Sequence, residues 1–152
     1  MDCIIRPAVP TDCAAMMDLV RELAFYEKAP EEVTVTMEEF VDAGFGKHPA
    51  WGAFVAESNA NIVGMALYYI RYSTWKGRRL YLEDLIVTEA FRGQGIGRRL
   101  LDRTIDYAKT NNYSGMMWQV LDWNTPAIHF YEKYQATFDN GWINVNLNFV
   151  QE

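Results

Sequence analysis

Leu80-Tyr81-Leu82-Glu83-Asp84-Leu85-Ile86-Val87, then Arg92-Gly93-Gln94-Gly95-Ile96-Gly97, then Leu100, Leu101, Thr104, Ile105 and Ala108: these three consecutive patterns decide the fold of this 152-residue chain. The first is nearly continuous apolar sequence interrupted only by Glu83-Asp84, which predicts a strand buried on both faces. The third repeats at helical spacing. The turn between them is rich in glycine, which lets the backbone take positive φ and approach a ligand closely. The helix start presents unpaired N–H groups and the positive end of its dipole. Together these make an anion site suited to a pyrophosphate, and Arg92, Arg98 and Arg99 add positive charge. The plainer alternative is a glycine turn that only caps a structural helix. A P-loop is excluded, because Ile96-Gly97-Arg98 stands where Gly-Lys-Ser/Thr is needed. Gly93, Gly95 and Gly97 are spaced by two throughout, so the dinucleotide fingerprint is excluded as well.

Outward from this centre, Cys3 to Pro7 predicts a short strand closed by Pro7. Thr11 is the expected N-cap of a helix whose apolar face is Met16, Leu19, Val20, Leu23 and Ala24. Asp18, Arg21 and Glu22 fall on its solvated side. Thr36-Met37-Glu38-Glu39 is a capping box opening a second helix toward Phe45, ended by Gly44 and Gly46. Phe54 to Glu57 and Ile62 to Tyr72 read as strands around an Asn59-Ala60-Asn61 turn. Met116 to Leu121 reads as a further strand, with another short one near Thr137. Asn124-Thr125-Pro126 starts a helix, with proline where its missing N–H is harmless. Ile143 to Phe149 alternates apolar and polar residues, as a half-buried last strand should. This order predicts one α/β domain over residues 1–152, with a central mixed, mostly antiparallel sheet and helices on both faces.

The charge balance is 14 basic against 20 acidic residues, −6, and the isoelectric point is about 4.9. That disfavours a nucleic-acid binder, which would show a basic face. Half of the residues are hydrophobic, which excludes global disorder. No apolar run reaches the ~18 residues of a membrane span, and the N-terminal stretch does not read as a secretory leader. Cys3 and Cys13 make neither a disulfide framework nor a metal set. A cytoplasmic location and no metal are therefore expected.

Two further features carry chemistry. Buried carboxylates are costly unless hydrogen-bonded or functional, and a desolvated one has its pKa raised toward neutrality, which suits a general base. Glu83 and Asp84 are adjacent on a strand and so are expected on opposite faces, with separate tasks. In Asn124-Thr125-Pro126-Ala127-Ile128-His129-Phe130-Tyr131, Tyr131 follows Asn124 by seven residues and shares its helical face. A tyrosine, with a reference pKa near 10, stays protonated at neutral pH and can donate to a departing thiolate. Alone, Phe130-Tyr131 would read as core. His48, His129 and the seven methionines read as turn, packing and core residues.

These residues together resemble the GNAT superfamily of N-acetyltransferases: Arg92-x-x-Gly95-x-Gly97 matches its acyl-CoA pyrophosphate loop, and Asn124…Tyr131 follows at the family's distance. Within it, Ile5-Arg6-Pro7-Ala8, Leu23-Ala24-x-Tyr26-Glu27, Gly44-Phe45-Gly46-x-His48-Pro49, Leu80 to Asp84 and Trp123-Asn124 are similar to the diamine (spermidine/spermine) N-acetyltransferases. The similarity runs from about Ile4 to Trp142. The resemblance implies acetyl-CoA-dependent transfer to a primary amine in a ternary complex. It implies that Leu85, Ile86 and Val87 hold the acetyl and pantetheine part through their backbone. Arg92, Gly93, Gln94, Gly95, Ile96, Gly97 and Arg98 would hold the pyrophosphate, and Asn124, Pro126 and Ala127 would touch the cofactor further along. Glu83 would orient or deprotonate the amine, directly or through water, and Tyr131 would be the general acid. Tyr26, Glu27, Trp75, Glu83, Asp84, Asn140 and Trp142 would border the acceptor pocket, Trp142 from this chain or a partner subunit. Family members are usually homodimers.

An alkyl ammonium, with a pKa near 10.4, must lose a proton before it attacks, which accords with these roles. A covalent acetyl-cysteine is disfavoured, since Cys3 and Cys13 lie away from every motif. Two departures bear on the acceptor. Polyamine acetylators of this family carry acids where this chain has Ser73, before Thr74-Trp75, and Asn140, before Gly141-Trp142. Tyr72 to Arg78 and Leu121-Asp122-Trp123-Asn124 look more like the thialysine N-ε-acetyltransferases. The expected acceptor is a thialysine- or lysine-like amino acid. A diamine or polyamine stays open, with Asp122 or Asp139 replacing the missing acids. A protein lysine and a non-catalytic acyl-CoA sensor are further alternatives.

Overall fold

The apolar stretch from residue 52 to residue 87 folds back on itself twice. β2 (Gly52–Ser58), β3 (Asn61–Ser73) and β4 (Gly77–Val87) form an antiparallel meander. Asn59 and Ala60 both take positive φ, 51° and 64°, the conformation of a tight two-residue hairpin turn. β1 (Cys3–Pro7) pairs antiparallel with β2, Arg6 opposite Val55. β5 is two residues long, Met116–Met117, and pairs parallel with β4. A parallel pair needs a crossover, and α3 (Ile96–Thr110) supplies it. The sheet order is β1-β2-β3-β4-β5, mixed and mostly antiparallel, as the sequence predicts.

Successive residues of the sheet serve opposite faces. Ala53, Val55, Met65, Leu67 and Ile86 join α1 (Cys13–Tyr26) and α2 (Met37–Phe45) in one core, through Met16, Met17, Leu19 and Phe40. Phe54 and Tyr68 instead meet Tyr107 of α3, at ring-centroid distances of 5.7 and 5.1 Å. Leu100, Leu101 and Thr104 of α3 are fully buried. At Gly64 a Cβ would stand 3.1 Å from Leu100 and 3.0 Å from the Ile86 carbonyl, so close packing of helix on sheet requires a residue without one.

Residues 2–149 of this computed structural model are described, in two compact units, Met1–Gln119 and Val120–Glu152. The sheet, α1, α2 and α3 belong to the first. In the second, α4 (Thr125–Glu132) has Asn124 as N-cap, its side chain accepting from the Ala127 N–H, and a proline in the first turn.

The sequence-based expectations need three corrections. The strand expected over Met116 to Leu121 ends at Met117, because its ladder with β4 stops at Tyr81. Neither the Thr137 region nor Ile143 to Phe149 is a strand; among the described residues no strand follows Met117. Ile143, Val145, Leu147 and Phe149 are 77–90% exposed. Their alternation states which side would be buried but supplies no ladder partner, and a strand exists only through one. Finally, Thr11 does not cap α1. It lies inside a 3-10 turn, Pro10–Asp12, that precedes the helix.

Asp12 governs that entry. It is buried and accepts from Arg6 Nη1 at 2.8 Å, Arg6 Nη2 at 3.0 Å and the Val9 N–H at 2.8 Å. Arg6 also donates to Glu57 of β2 at 2.7 and 3.0 Å, so one guanidinium ties β1, the 3-10 turn and β2. The Arg6 hydrogen bond holds the Asp12 carboxyl below its ordinary value of 3.8, against the opposing effect of burial. A depressed folded-state pKa contributes stability that is present above the unfolded value and lost as pH falls through the folded one. Asp12→Asn is expected to destabilise the fold by about 1.5–3 kcal/mol at pH 7, as for loss of a charge-assisted hydrogen bond. It should also flatten the acid limb of the stability profile below pH 4. Urea unfolding of both proteins between pH 2 and pH 7 checks this.

Candidate active site

β4 carries one residue more than β3 at the point where the acids stand. Leu82 pairs with Tyr68 and Asp84 with Leu67, leaving Glu83 as the extra residue of a β-bulge. A bulge breaks the two-residue alternation. The adjacent carboxylates Glu83 and Asp84 stand at it in unequal surroundings, the first exposed and the second half-buried. They act on each other: Asp84 is pushed up to about 7, first by burial, then by the charge of Glu83, then by that of Glu27. Burial alone raises Glu27, the residue that closes α1. Glu83 itself is exposed, so the expected desolvation falls on Asp84 instead. The charge of Glu83 also reaches Tyr69 and Tyr81, whose rings pack 5.0 Å apart, and adds to burial in raising both hydroxyls. Glu27, Glu83 and Asp84 thus form one acidic cluster beside a tyrosine pair. The two tyrosines were not singled out in the sequence; the hairpin register that pairs them would have found them.

Immediately downstream the chain turns into α3. Gly93 and Gly95 take φ of 77° and 81°, with no heavy atom within 4 Å of where a Cβ would stand. That is an open cradle of backbone. Gly95 is the N-cap of the 15-residue α3, whose first N–H groups lack partners within the helix. Ile96 is buried as the helix's first anchor. The three arginines expected to charge this loop divide their work. Arg99 donates to the Cys3 carbonyl at 2.9 Å and so fastens α3 to β1. Arg92 donates to the Val87 carbonyl at 2.8 Å and to Glu22 at 3.1 Å, and lies 5.7 Å from the centroid of the Tyr26 ring. Arg98 projects outward, 71% exposed, with Asp102 4.0 Å away. Glu22, expected on a solvated face, instead accepts from Thr88 Oγ1 at 2.7 Å and from the Glu89 N–H at 3.0 Å. The Asp18–Arg21 pair on that helix is exposed, as expected.

The ladder between β4 and β5 covers only Leu80 and Tyr81. It leaves the same edge of β4 at Leu85, Ile86 and Val87, which pair on their other side with Ala66, Met65 and Gly64. Trp75 sits at the tip of the β3–β4 hairpin, 85% exposed. Ser73 Oγ accepts from the backbone of Trp75 and Lys76 there, a turn-forming role in place of an acid.

In the second unit, Tyr131 is buried on α4, with Phe130 at 5.5 Å. Pro126 and Ala127 lie in the first turn behind the Asn124 cap. Asn140 and Trp142 are exposed. The Trp142 indole N–H donates to Asp139 at 2.8 Å, and the Gly141 N–H donates to the same carboxylate at 2.9 Å. Both cysteines are free and buried. Among the described residues no group of three His, Cys, Asp or Glu is suited to a metal ion, and no helix is long and apolar enough to cross a membrane.

Comparison with known proteins bears on this arrangement. The Acetyltransferase (GNAT) family profile matches residues 14–136. The thialysine N-epsilon-acetyltransferase of Bos taurus is 39% identical over 150 residues, covering 91% of this chain and 88% of its own length. The human spermidine/spermine N(1)-acetyltransferase-like protein 1 is 34% identical over 148 residues, 91% of this chain but 21% of that protein. An aminoglycoside acetyltransferase from an uncultured soil metagenomic sample superposes with a TM-score of 0.79 over 97% of both chains at 18% identity, a likeness of fold. By the family match and these relatives, the chain belongs to the GNAT acetyltransferases and is an N-acetyltransferase acting on an amine.

Proposed function

We propose that the chain moves the acetyl group of acetyl-CoA to the primary amine of a small thialysine- or lysine-like amino acid, by direct attack in a ternary complex. The acidic cluster at the β4 bulge, next to the open glycine turn, carries this reading. Acetyl-CoA supplies an activated acyl thioester. The Gly93 to Arg98 amides hold its diphosphate at the α3 N-terminus, and the β4 edge at Leu85 to Val87 holds its pantetheine arm. Asn124, Pro126 and Ala127 are assigned to the cofactor, and Arg92 to fixing the turn. Glu27 and Asp84 attract the ammonium. Glu83, exposed and able to pass a proton to water, takes one from it, and the freed amine attacks the thioester carbon. As the C–S bond breaks, Tyr131 protonates the sulfur. Tyr26, Trp75, Asn140 and Trp142 are assigned to the acceptor's surroundings.

The names of the bovine and mouse relatives, 39% and 37% identical, support a thialysine-like acceptor. So does the loss of two acids at Ser73 and Asn140, since each charge-assisted contact contributes roughly 1.5–3 kcal/mol to holding a polycation. The alternative acceptor, a diamine or polyamine, draws on the spermidine/spermine-named relative and on Asp139. The same reading takes residues 1–152 as one functional domain, since the family match spans both units. It also takes the protein as a cytoplasmic homodimer. The exposed stripe Ile143, Val145, Leu147 and Phe149 supports the dimer, and the free buried cysteines support a reducing compartment.

Three measurements test this. The ratio of kcat/KM for thialysine and lysine to that for putrescine and spermidine should exceed one; the reverse order selects the polyamine alternative. Tyr131→Phe is expected to lower kcat roughly 10²-fold, at the low end for general acid catalysis, with acetyl-CoA affinity within about twofold. For Asp84 the sign is set by its raised value of about 7. Between pH 3.8 and 7 the folded protein holds a proton that the unfolded chain has lost, so this group's contribution to stability falls as pH rises. A bound ammonium favours the ionised form, so amine binding at pH 7 should release about half a proton. Calorimetry in two buffers of different ionisation enthalpy measures that release, which Asp84→Asn should abolish.

A further inference from the structure

We propose that Glu22 is the positioning residue of the donor-binding turn, setting acetyl-CoA affinity without touching either substrate. The inference rests on the acetyl-CoA reading of the glycine turn and assigns its control to a helix on another element. β4 ends where the Thr88 N–H donates to the Val63 carbonyl at 2.8 Å. The chain then makes one 3-10 turn, Glu89–Phe91, and enters the glycine segment. Glu22 caps that turn from α1: one carboxylate oxygen takes the Thr88 hydroxyl at 2.7 Å, the other the Glu89 N–H at 3.0 Å and Arg92 Nη2 at 3.1 Å. Of these donors, the Glu89 N–H is a backbone group that the start of a helical turn leaves unpaired, and the other two are side chains from either end of the turn.

The third donor decides where the chain goes next. With its guanidinium held by Glu22, Arg92 also donates through Nε to the Val87 carbonyl. It thus closes the 3-10 turn onto the end of β4, five residues back in sequence. Gly93 follows directly, so the direction in which the Gly93 to Gly97 amides face is fixed from α1. Glu22 is only partly exposed, at 31% of its side chain, so these bonds are shielded in part from water. Four residues further along the same helix stands Tyr26, whose ring lies under Arg92. Glutamine at position 22 keeps one acceptor but loses the charge and the second acceptor. The turn then loses its clamp while the glycines and α3 keep their sequence.

The test is steady-state kinetics and acetyl-CoA calorimetry on the whole chain, comparing wild type with Glu22→Gln, Thr88→Val and the double variant. Glu22→Gln is expected to raise KM and Kd for acetyl-CoA about tenfold, with kcat at saturation and the amine KM within twofold. Thr88→Val, which removes one donor and keeps the branched shape, should raise them about threefold. The double variant should be no worse than Glu22→Gln alone, because both act through one contact set. An acetyl-CoA Kd unchanged in Glu22→Gln overturns the proposal, as does a parallel loss of kcat and both KM values that tracks a fall in Tm. If Glu22→Gln does not fold, an unchanged Kd in Thr88→Val overturns it instead. A wild-type chain that takes up no acetyl-CoA removes the reading beneath it, and a wild type that binds while both variants bind equally removes this proposal alone.

Discussion

One extra residue in β4 organises the chemistry of this protein. Because Leu82 faces Tyr68 and Asp84 faces Leu67, Glu83 has no opposite number, and the strand must bend to absorb it. The strand is otherwise built for burial, with Leu80, Tyr81, Leu82 and Ile86 all in the core. Two carboxylates in such a strand are tolerable only where the ladder is interrupted and water can reach one of them. Glu83 takes the water and Asp84 takes the desolvation, and the result is a group that titrates close to neutrality. A bulge at this site resolves a packing conflict, and in the proposed reading it is where the ammonium binds.

The same strand delivers the second half of the arrangement. Val87 is the last residue of β4, and within ten residues the chain has turned, crossed two glycines of positive φ and begun α3. A turn this abrupt has few bonds of its own, so its geometry is supplied from outside. Glu22 provides it from α1 through its bond to Arg92, and Arg99 fastens α3 to the Cys3 carbonyl of β1. Arg92 and Arg99 are therefore tied up in structural bonds, and Arg98 projects outward. Anion affinity at such a site comes chiefly from backbone N–H groups and the helix dipole, which need no long side chain to be ordered on binding.

Much of this was legible in the sequence because it depends on period and punctuation. The Thr36 cap and the glycine turn are local patterns, and the meander of β2, β3 and β4 joins strands that are consecutive in sequence, so each turn brings its own partners together. What could not be read depends on partners. The apolar alternation from Ile143 to Phe149 is as clean as that of any strand, yet it specifies a face and not a neighbour. The bulge at Glu83 is a property of register between two strands, invisible in either one. Glu22 looked like a solvated helix residue because its donors lie 66 to 70 positions away. Thr11 looked like the cap of α1, but the bonds of Arg6 and the Val9 N–H to Asp12 hold that stretch as a 3-10 turn.

The distribution of acids also argues about acceptor size. Glu27, Glu83 and Asp84 concentrate negative charge at the β4 bulge, where the first two raise the cost of ionising Asp84. A long polycation needs a second anionic station several ångströms away. At the hairpin tip that station is Ser73, already accepting from two backbone N–H groups. In the second unit the position before Gly141 is Asn140, and the nearby Asp139 is held by the Trp142 indole and the Gly141 N–H. In the proposed reading, the single acidic cluster of the first unit serves one ammonium, and Ser73 in the same unit gives no second charge for a chain of repeated cations.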